Sequence, residues 1–267
     1  MLQEALDFQA ESDDLLALLE RLDEQDWDRE TQFKHWTIND IVAHLHLFNY
    51  AADLALQDGN SFGSLMRELN DATTRGTPHL AFTHAWLRGA SNRDLMSSWR
   101  EFYRAMTRRF MVADPKKRVP WAGPTMSVRS SITARLMETW AHGQAIYDLL
   151  GKTRNETDRI KNIAVLGINT FNWTFKNRRM EVPPTIPYVR LIAPSGAIWE
   201  WGEENTVNCV EGRAVEFCQV VTQVRNVADT SLQVVGPTAG AWMSIAQCFA
   251  GPPEEPPPPR TRFTHRA

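Results

Sequence analysis

The stretch RLMETWAHG, residues 135–143, decides the fold, and it lies inside an apolar segment that spans residues 127–150. At about 100° per residue, the apolar side chains of this segment point in nearly every direction, which is typical of a buried helix. Glu138 and His142 interrupt the apolar surface four residues apart and therefore share one face of the helix. Burying a carboxylate and an imidazole is costly unless each is paired or bound to a metal. The segment therefore predicts a buried helix that presents two metal ligands.

Spacing alone leaves a second interpretation of this helix open. Glu138, His142 and Arg135 lie along one stripe, and the same stripe would serve as a solvated strip on a half-exposed helix. A metal site also needs at least one more ligand, and that ligand must come from another part of the chain.

The region near residue 40 offers two histidines as the third ligand. Thr37 is followed three residues later by Asp40, which resembles a capping box and predicts a helix that runs to about Gln57. His44 and His46 lie on opposite sides of the apolar face of this helix, so helical geometry does not choose between them. A single histidine beside an apolar face is also more often hydrogen-bonded than bound to a metal.

The remaining patterns predict a helical part followed by a mixed part. Helical spacing of apolar residues predicts further helices around residues 15–22, 60–77, 95–110 and 158–176. After residues 182–184, Val-Pro-Pro, alternating residues predict strands at 188–192, 198–201, 207–210 and 232–235, with helices at 213–223 and 238–249. We therefore predict domains at 1–180 and 183–251, and a Pro-rich tail at 252–267 that is extended or disordered.

Composition limits the function classes. The 267 residues are 43% hydrophobic and 23% charged, with a formal net charge of −3. This balance gives no reason to expect a nucleic acid or an anionic membrane as a partner. The acidic N-terminal residues lack a signal-peptide pattern, no apolar run is long enough to span a bilayer, and the three cysteines are widely spaced. These features predict a reducing, cytoplasmic compartment, and they leave open whether the protein is a monomer or a homodimer.

Two segments resemble the motifs of a known family. WTINDIVAHL, residues 36–45, resembles a segment of the DinB-like superfamily in which Trp is followed by Asp four residues later and by His eight residues later. RLMETWAHG resembles the second motif of the maleylpyruvate isomerase-type branch, which includes mycothiol-dependent enzymes. The resemblance implies an α + α/β fold, with an N-terminal antiparallel four-helix bundle that carries extra helices and a small C-terminal α/β domain. It also implies His44, Glu138 and His142 as the ligands of one divalent metal ion.

The resemblance extends to about residue 252 but has one departure. Residues 193–196, 212–214, 236–237 and 246–252 are similar to the second domain of the family. Family members often carry an acidic residue three positions after the second-motif His, and here Ala145 stands in that place. If the acid normally orients a metal ligand, another group must do so in this protein.

The family also implies a reaction class. A low-molecular-weight thiol would be activated on the metal and added to an electrophile, giving an isomerase or a transferase. Zinc is the first candidate for the ion, and nickel, manganese and iron stay open. Arg135 could clamp a substrate carboxylate or form a structural ion pair, and His46 could be a proton shuttle or a core histidine. The alternatives are a metal-dependent hydrolase, lyase or cyclase without a thiol, and a non-catalytic metal- or ligand-binding protein.

Overall fold

The structure, a computed structural model, describes residues 1–121 and 125–265, and the chain divides into two compact units, Met1–Ile146 and Tyr147–Ala267. The first unit is mainly helical, and the second combines helices with a sheet. The predicted combination of helical and mixed structure is therefore confirmed. The antiparallel four-helix bundle and the domain boundaries near 180 and 252 stay predictions.

The first unit is built on long helices. Its described elements are α1 (Gln3–Leu19), α2 (Ile38–Gln57), α3 (Gly59–Thr74), α4 (His79–Leu87), α5 (Asn92–Val112), the short strands β1 (Arg118–Val119) and β2 (Met126–Ser127), and α6 (Val128–Leu149), which ends just beyond the unit. Helices α1 and α2 both pack against α5, and α3 and α4 pack on α2. Large apolar side chains fill this core, among them Trp27, Trp99 and Trp140.

The beginning of α2 follows from its capping residues. The Thr37 hydroxyl accepts a hydrogen bond from the Asp40 amide at 3.1 Å, and the Asp40 carboxylate accepts one from the Thr37 amide at 2.8 Å. This reciprocal pair satisfies two of the free amides at the helix start, so the helix begins where the sequence predicts.

The second unit packs helices against a four-stranded sheet. Its elements are α7 (Lys161–Asn169), α8 (Phe171–Asn177), β3 (Tyr188–Ile192), β4 (Ile198–Trp201), β5 (Cys209–Arg213), α9 (Ala214–Val221), β6 (Gln233–Val235) and α10 (Pro237–Ile245). The strand order is β4-β3-β5-β6, in which β3 and β5 are parallel and the outer pairs are antiparallel. Helix α9 packs on β3 and β5, and Val189, Leu191 and Val210 are fully buried.

Several sequence predictions differ from the observed elements. A single helix over residues 158–176 is wrong, because a short 3-10 turn at Asp158–Ile160 is followed by two helices separated at Thr170. The strand predicted at 207–210 lies later, at Cys209–Arg213. Helix α4 was not predicted at all, because it is only nine residues long and Thr83 is its only fully buried residue.

Gly236 has a conformation that no other residue type accommodates. Its φ is +90°, and a Cβ at this position would lie 2.2 Å from the carbonyl oxygen of Val207. Glycine removes that clash and permits the positive φ. Pro237 then opens α10 at its first position, where a missing amide has no cost.

Hydrogen bonds hold the Pro-rich residues 252–265 within the second unit. The carbonyl oxygens of Glu254 and Pro257 accept hydrogen bonds from the side chains of Gln223 and Asn226. The Arg262 guanidinium donates to the carbonyl of Gln223 at 2.7 Å. The described residues of this segment form no helix or strand, and these hydrogen bonds fix their path, whereas a separate tail at 252–267 stays a prediction. Over the described residues, no helix is both long and apolar enough to cross a membrane.

Candidate metal centre

His44 on α2 and Glu138 and His142 on α6 meet in the first unit. The Nε2 atoms of His44 and His142 lie 3.3 Å and 3.0 Å from Oε2 of Glu138. One ligand atom from each of the three residues falls within 4.8 Å of the other two. Their side chains are 12–20% exposed, so the cluster lies near the surface of the core and is not sealed within it.

The spacing of these atoms fits a small divalent cation. Zinc binds imidazole nitrogen and carboxylate oxygen at about 2.0–2.2 Å, and adjacent ligands in a tetrahedral or octahedral shell are then about 3.0–3.5 Å apart. The two observed distances to Glu138 fall in that interval. Two imidazoles and one carboxylate also form a donor set that zinc, iron, nickel and manganese accept. The residues present therefore fit the ion that the motif implies.

The electrostatics of the cluster favour the ligating forms of these side chains. Burial lowers the pKa of His44 to about 3, and the neighbouring His142 lowers it further, so the ring is neutral at pH 7. Burial alone would raise the pKa of Glu138, but hydrogen bonds from His142 and His44 hold that pKa well below its usual range. A neutral imidazole and an ionised carboxylate are the forms that bind a metal.

Aromatic side chains fix the orientation of the two imidazoles. The His142 ring stacks on Trp36 at 5.9 Å with an interplanar angle of 7°, and Phe33 meets it edge-on at 4.8 Å. The His44 ring lies 5.3 Å from Trp36 and 4.8 Å from Phe48. Ring packing therefore does the orienting here. The Nδ1 atom of His44 is buried and has no hydrogen-bond partner among the described residues.

Arg135 lies one turn before Glu138 on α6 and is only 1% exposed. Its Nε donates to Oδ1 of Asn49 at 3.0 Å, and its guanidinium carbon lies 5.9 Å from the ring centroid of Phe48. Within the described part of the chain, no carboxylate forms an ion pair with it. Burial lowers the pKa of Arg135 to about 10, although the charge of Glu138 acts in the opposite direction, so it remains a cation at neutral pH. The ion pair with Glu138 that the sequence left open is absent.

His46 occupies a different environment from His44. Its ring lies 5.4 Å from Trp86 and 5.5 Å from Phe102, and it is not one of the three clustered ligands. Burial lowers the pKa of His46 to about 4. Its predicted role as a proton shuttle stays a prediction.

Sequence reasoning missed two residues beside the cluster. His79, the first residue of α4, lies 5.8 Å from His44 and stacks on Phe48 at 5.4 Å. No signal identified it, because α4 itself was not predicted. Asn49 is fully buried and bonded to Arg135. It falls on the apolar face of α2, near Leu45 and Ala52, and a polar residue in that position is a signal that the sequence contains.

The fold and these three side chains place the protein in a class with two parts. A helical unit presents two histidines and a glutamate from two of its helices, and a unit of helices and a sheet follows it in the chain. A sequence model described as the mycothiol maleylpyruvate isomerase N-terminal domain matches residues 8–147. The chain belongs to this family.

Two relatives extend the match over nearly the whole chain. They are uncharacterized proteins of Mycobacterium tuberculosis, from strains CDC 1551 / Oshkosh and ATCC 25618 / H37Rv. Each is 38% identical over 248 residues, which is 92% of this chain and 95% of the relative.

Two solved structures are similar in fold. They are crystal structures of the mycothiol-dependent maleylpyruvate isomerase and of a histidine-to-alanine mutant of it, with TM-scores of 0.54 and 0.53. In both cases the similarity covers 82% of this chain and 87% of the other, at 13% sequence identity. At that identity the likeness concerns the fold alone.

Proposed function

We propose that this protein is an enzyme that uses one divalent metal ion and a low-molecular-weight thiol to isomerise a small molecule or to transfer a group to it. The observation that supports the proposal most is the convergence of His44, Glu138 and His142 within 4.8 Å. Membership of the maleylpyruvate isomerase family supports the thiol-assisted reaction class.

The donor set supports a catalytic rather than a structural ion. Three protein ligands leave at least one coordination position open, whereas structural zinc sites close all four with protein. A bound divalent ion would supply Lewis acidity and lower the pKa of a thiol or water at that position. Zinc is the first candidate, and nickel, manganese and iron fit the same residues.

The chain's own residues have three roles in the proposal. His44, Glu138 and His142 hold the ion, while Phe33 and Trp36 fix the ring of His142 and exclude water from its flank. Arg135 binds an anionic part of the substrate. His46 is enclosed by Trp86 and Phe102, so a proton-shuttle role for it does not enter the proposal.

We also propose that α1, α2, α5 and α6 are the four helices of an antiparallel bundle. The packing of α1 and α2 on α5 supports this arrangement. Two side-chain contacts join α2 to α6, namely His44 with Glu138 and Asn49 with Arg135. The metal ligands would then face the bundle interior, which is a common position for metal sites in such bundles.

The metal is tested by elemental analysis of purified protein. We expect about one equivalent of divalent metal in the wild type and almost none in the variant His142→Ala. The matched control is His35→Ala, because His35 is a highly exposed histidine outside the cluster. If His142→Ala retains the full metal content, these residues are not the ligands and the proposal fails.

The thiol is tested by turnover of maleylpyruvate with and without mycothiol, in wild type and His142→Ala. We expect turnover that needs both the thiol and His142. Turnover that needs His142 but no thiol would replace the proposal with a metal-dependent hydrolase, lyase or cyclase. A fully protein-ligated ion with no turnover would favour a binding protein.

A further inference from the structure

Two donor groups at the junction of α2 and α6 are buried without acceptors. Nη2 of Arg135 and Nδ2 of Asn49 are both inaccessible to solvent and have no hydrogen-bond partner in the described residues. Their side chains are bonded to each other through Nε of Arg135 and Oδ1 of Asn49. The two orphan groups are therefore neighbours. Buried donors without acceptors are rare in folded proteins, and each one calls for an explanation.

The orientation of the Asn49 amide is settled by its partner. A guanidinium nitrogen only donates, so the atom of Asn49 that faces Nε of Arg135 must be the carbonyl oxygen. The amide nitrogen then carries two hydrogens that the described residues leave unused. Exchanging the oxygen and nitrogen of the Asn49 amide would place its NH2 group against the N–H of Arg135. The unsatisfied donor of Asn49 therefore cannot be removed by a flipped amide.

In the described residues, the guanidinium of Arg135 also has no carboxylate in direct contact with it. Among residues 1–121 and 125–265, no carboxylate oxygen lies within 4.0 Å of its nitrogens, and Glu138 directs Oε2 at His44 and His142 instead. Other orphan donors in the first unit, such as the indole nitrogens of Trp27 and Trp99, are uncharged. Among the described residues of the first unit, Arg135 and its neighbour Asn49 are the only place where a buried positive charge lies beside two donors that lack an acceptor.

We propose that Arg135 and Asn49 form a binding site for one anionic group, a carboxylate or a small inorganic anion. An oxygen or halide between Nη2 of Arg135 and Nδ2 of Asn49 would give both donors an acceptor and neutralise the guanidinium. The Phe48 ring lies 5.9 Å from the guanidinium carbon, within the range of a cation–π interaction that favours this position of the guanidinium. Nothing in the family motif includes Asn49.

The place of this site relative to the metal ligands suggests what it binds. Arg135 precedes Glu138 by three residues on α6, and Asn49 follows His44 by five residues on α2. The anion site therefore lies about one helical turn from the proposed metal ion. This step rests on the proposed function. If the metal ion activates the reacting centre, the substrate is a small molecule that carries an anionic group next to that centre.

Two probes separate the sources of the anion. Crystals of the full-length protein are soaked in sodium bromide, and bromine is located by anomalous scattering, with and without competing sodium formate. We expect one bromide in contact with Arg135 and Asn49 that formate displaces, as a carboxylate site requires. Bromide that formate leaves in place supports the site with an inorganic anion as its ligand. Ordered water alone at this position in both soaks would overturn the proposal.

Solution binding removes the effect of crystal concentration. Formate and bromide are titrated calorimetrically into wild type, Asn49→Ala, Arg135→Met and the control Arg109→Met, which removes the same charge from a paired arginine. We expect affinity to fall at least tenfold in the first two variants and to stay unchanged in the control. Should Arg135→Met not fold, Asn49→Ala carries the test. Equal affinity in all four proteins contradicts the proposal.

The variant His142→Ala distinguishes this proposal from the metal-dependent function. We expect this variant to lose its metal and to keep its affinity for formate. Metal bound at His142 without any anion binding would refute only the anion site. Anion binding at Arg135 in a protein that never holds metal would refute only the proposed function.

Discussion

Two buried arginines, one in each unit, have opposite surroundings. Arg225 in the second unit is 9% exposed, donates to Oδ1 of Asp148 at 2.7 Å, and also contacts the carbonyl of Val224. Arg135 in the first unit is 1% exposed, and its only hydrogen bond in the described residues goes to the neutral side chain of Asn49. Among the described residues, Arg225 forms an ion pair with a carboxylate and Arg135 does not.

The difference separates a structural role from a binding role. A buried cation bonded to a carboxylate completes a network, so we expect its removal to destabilise the fold. A buried cation without a counter-charge keeps its donors available, and such departures from complete pairing are found at functional sites. The region around Arg135 is also the region that holds His44, Glu138 and His142. The predictions below test this distinction, beginning with the largest effect.

Replacing each arginine by methionine should give unequal losses of stability. Arg225→Met removes the guanidinium that donates to the buried carboxylate of Asp148, which costs about 3–5 kcal/mol in comparable pairs. Arg135→Met leaves the buried amide oxygen of the neutral Asn49 without its donor, and we expect a smaller loss of about 1–3 kcal/mol in the free energy of unfolding. Urea unfolding at pH 7 measures both. An equal loss in the two variants would contradict the distinction.

His46 is a third buried side chain of this kind, and unlike the two arginines it changes its charge with pH. The pKa of His46 is lowered to about 4 by burial, from 6.5. Above pH 6.5 the imidazole of His46 is neutral in both the folded and the unfolded protein. Below pH 6.5 it binds a proton in the unfolded chain but stays neutral in the folded protein. Stability is therefore lost as the pH falls from 6.5 towards 4, by up to about 3 kcal/mol.

The variant His46→Leu isolates that effect. Urea unfolding at pH 7 and pH 5 should show a smaller loss of stability in the variant than in the wild type. If both proteins lose the same stability between these pH values, His46 is not the titrating group.

Trp36 tests how well ring packing orients a ligand. Its ring stacks on His142 at 5.9 Å, whereas Ala145 stands where the family often has an acid. Groups that orient metal ligands affect affinity by about 10–100-fold when removed. We expect Trp36→Ala to weaken zinc binding by about 10-fold in a competition titration with a chromophoric chelator. Replacing Trp99, which packs against Tyr103 on α5, with Phe is the control, and an unchanged affinity in Trp36→Ala would show that packing does not orient the ligand.

Thr37 provides the smallest effect, because its hydrogen bond lies at a partly exposed helix end. Thr37→Ala removes one half of the capping box of α2, and caps of this kind contribute about 1 kcal/mol. A lower melting temperature with unchanged metal content would agree with a purely structural role. Loss of metal together with the cap would link the start of α2 to the position of His44.

Sequence patterns located α2 and α6 well, but they placed the first helix around residues 15–22 although it spans Gln3–Leu19, and they located the short elements poorly. Helix α2 follows from its capping box and apolar face, and α6 from a long apolar segment, and both begin and end within one residue of the predicted bounds. Helix α4 and the break at Thr170 were missed, because nine or fewer residues give too few repeats to define a period.

The candidate site was predicted unevenly for a similar reason. The spacing of Glu138 and His142 on a buried helix pointed to a pair of ligands, but α2 carries His44 and His46 on opposite sides of its apolar face. The structure places His44 beside Glu138 and encloses His46 with Trp86 of the unpredicted α4. The family resemblance selects His44, whereas the geometry of α2 alone does not choose between His44 and His46. Asn49 was overlooked because its partner lies 86 residues away in the chain.

Anomalous scattering at the absorption edges of zinc, nickel, iron and manganese, from one crystal of the full-length protein, tests the central claim most directly. We predict a single ion, with Nε2 of His44, Nε2 of His142 and a carboxylate oxygen of Glu138 at about 2.0–2.2 Å and at least one position not taken by protein. A protein that binds no ion when crystallised with each metal, or an ion held by other residues, would contradict it.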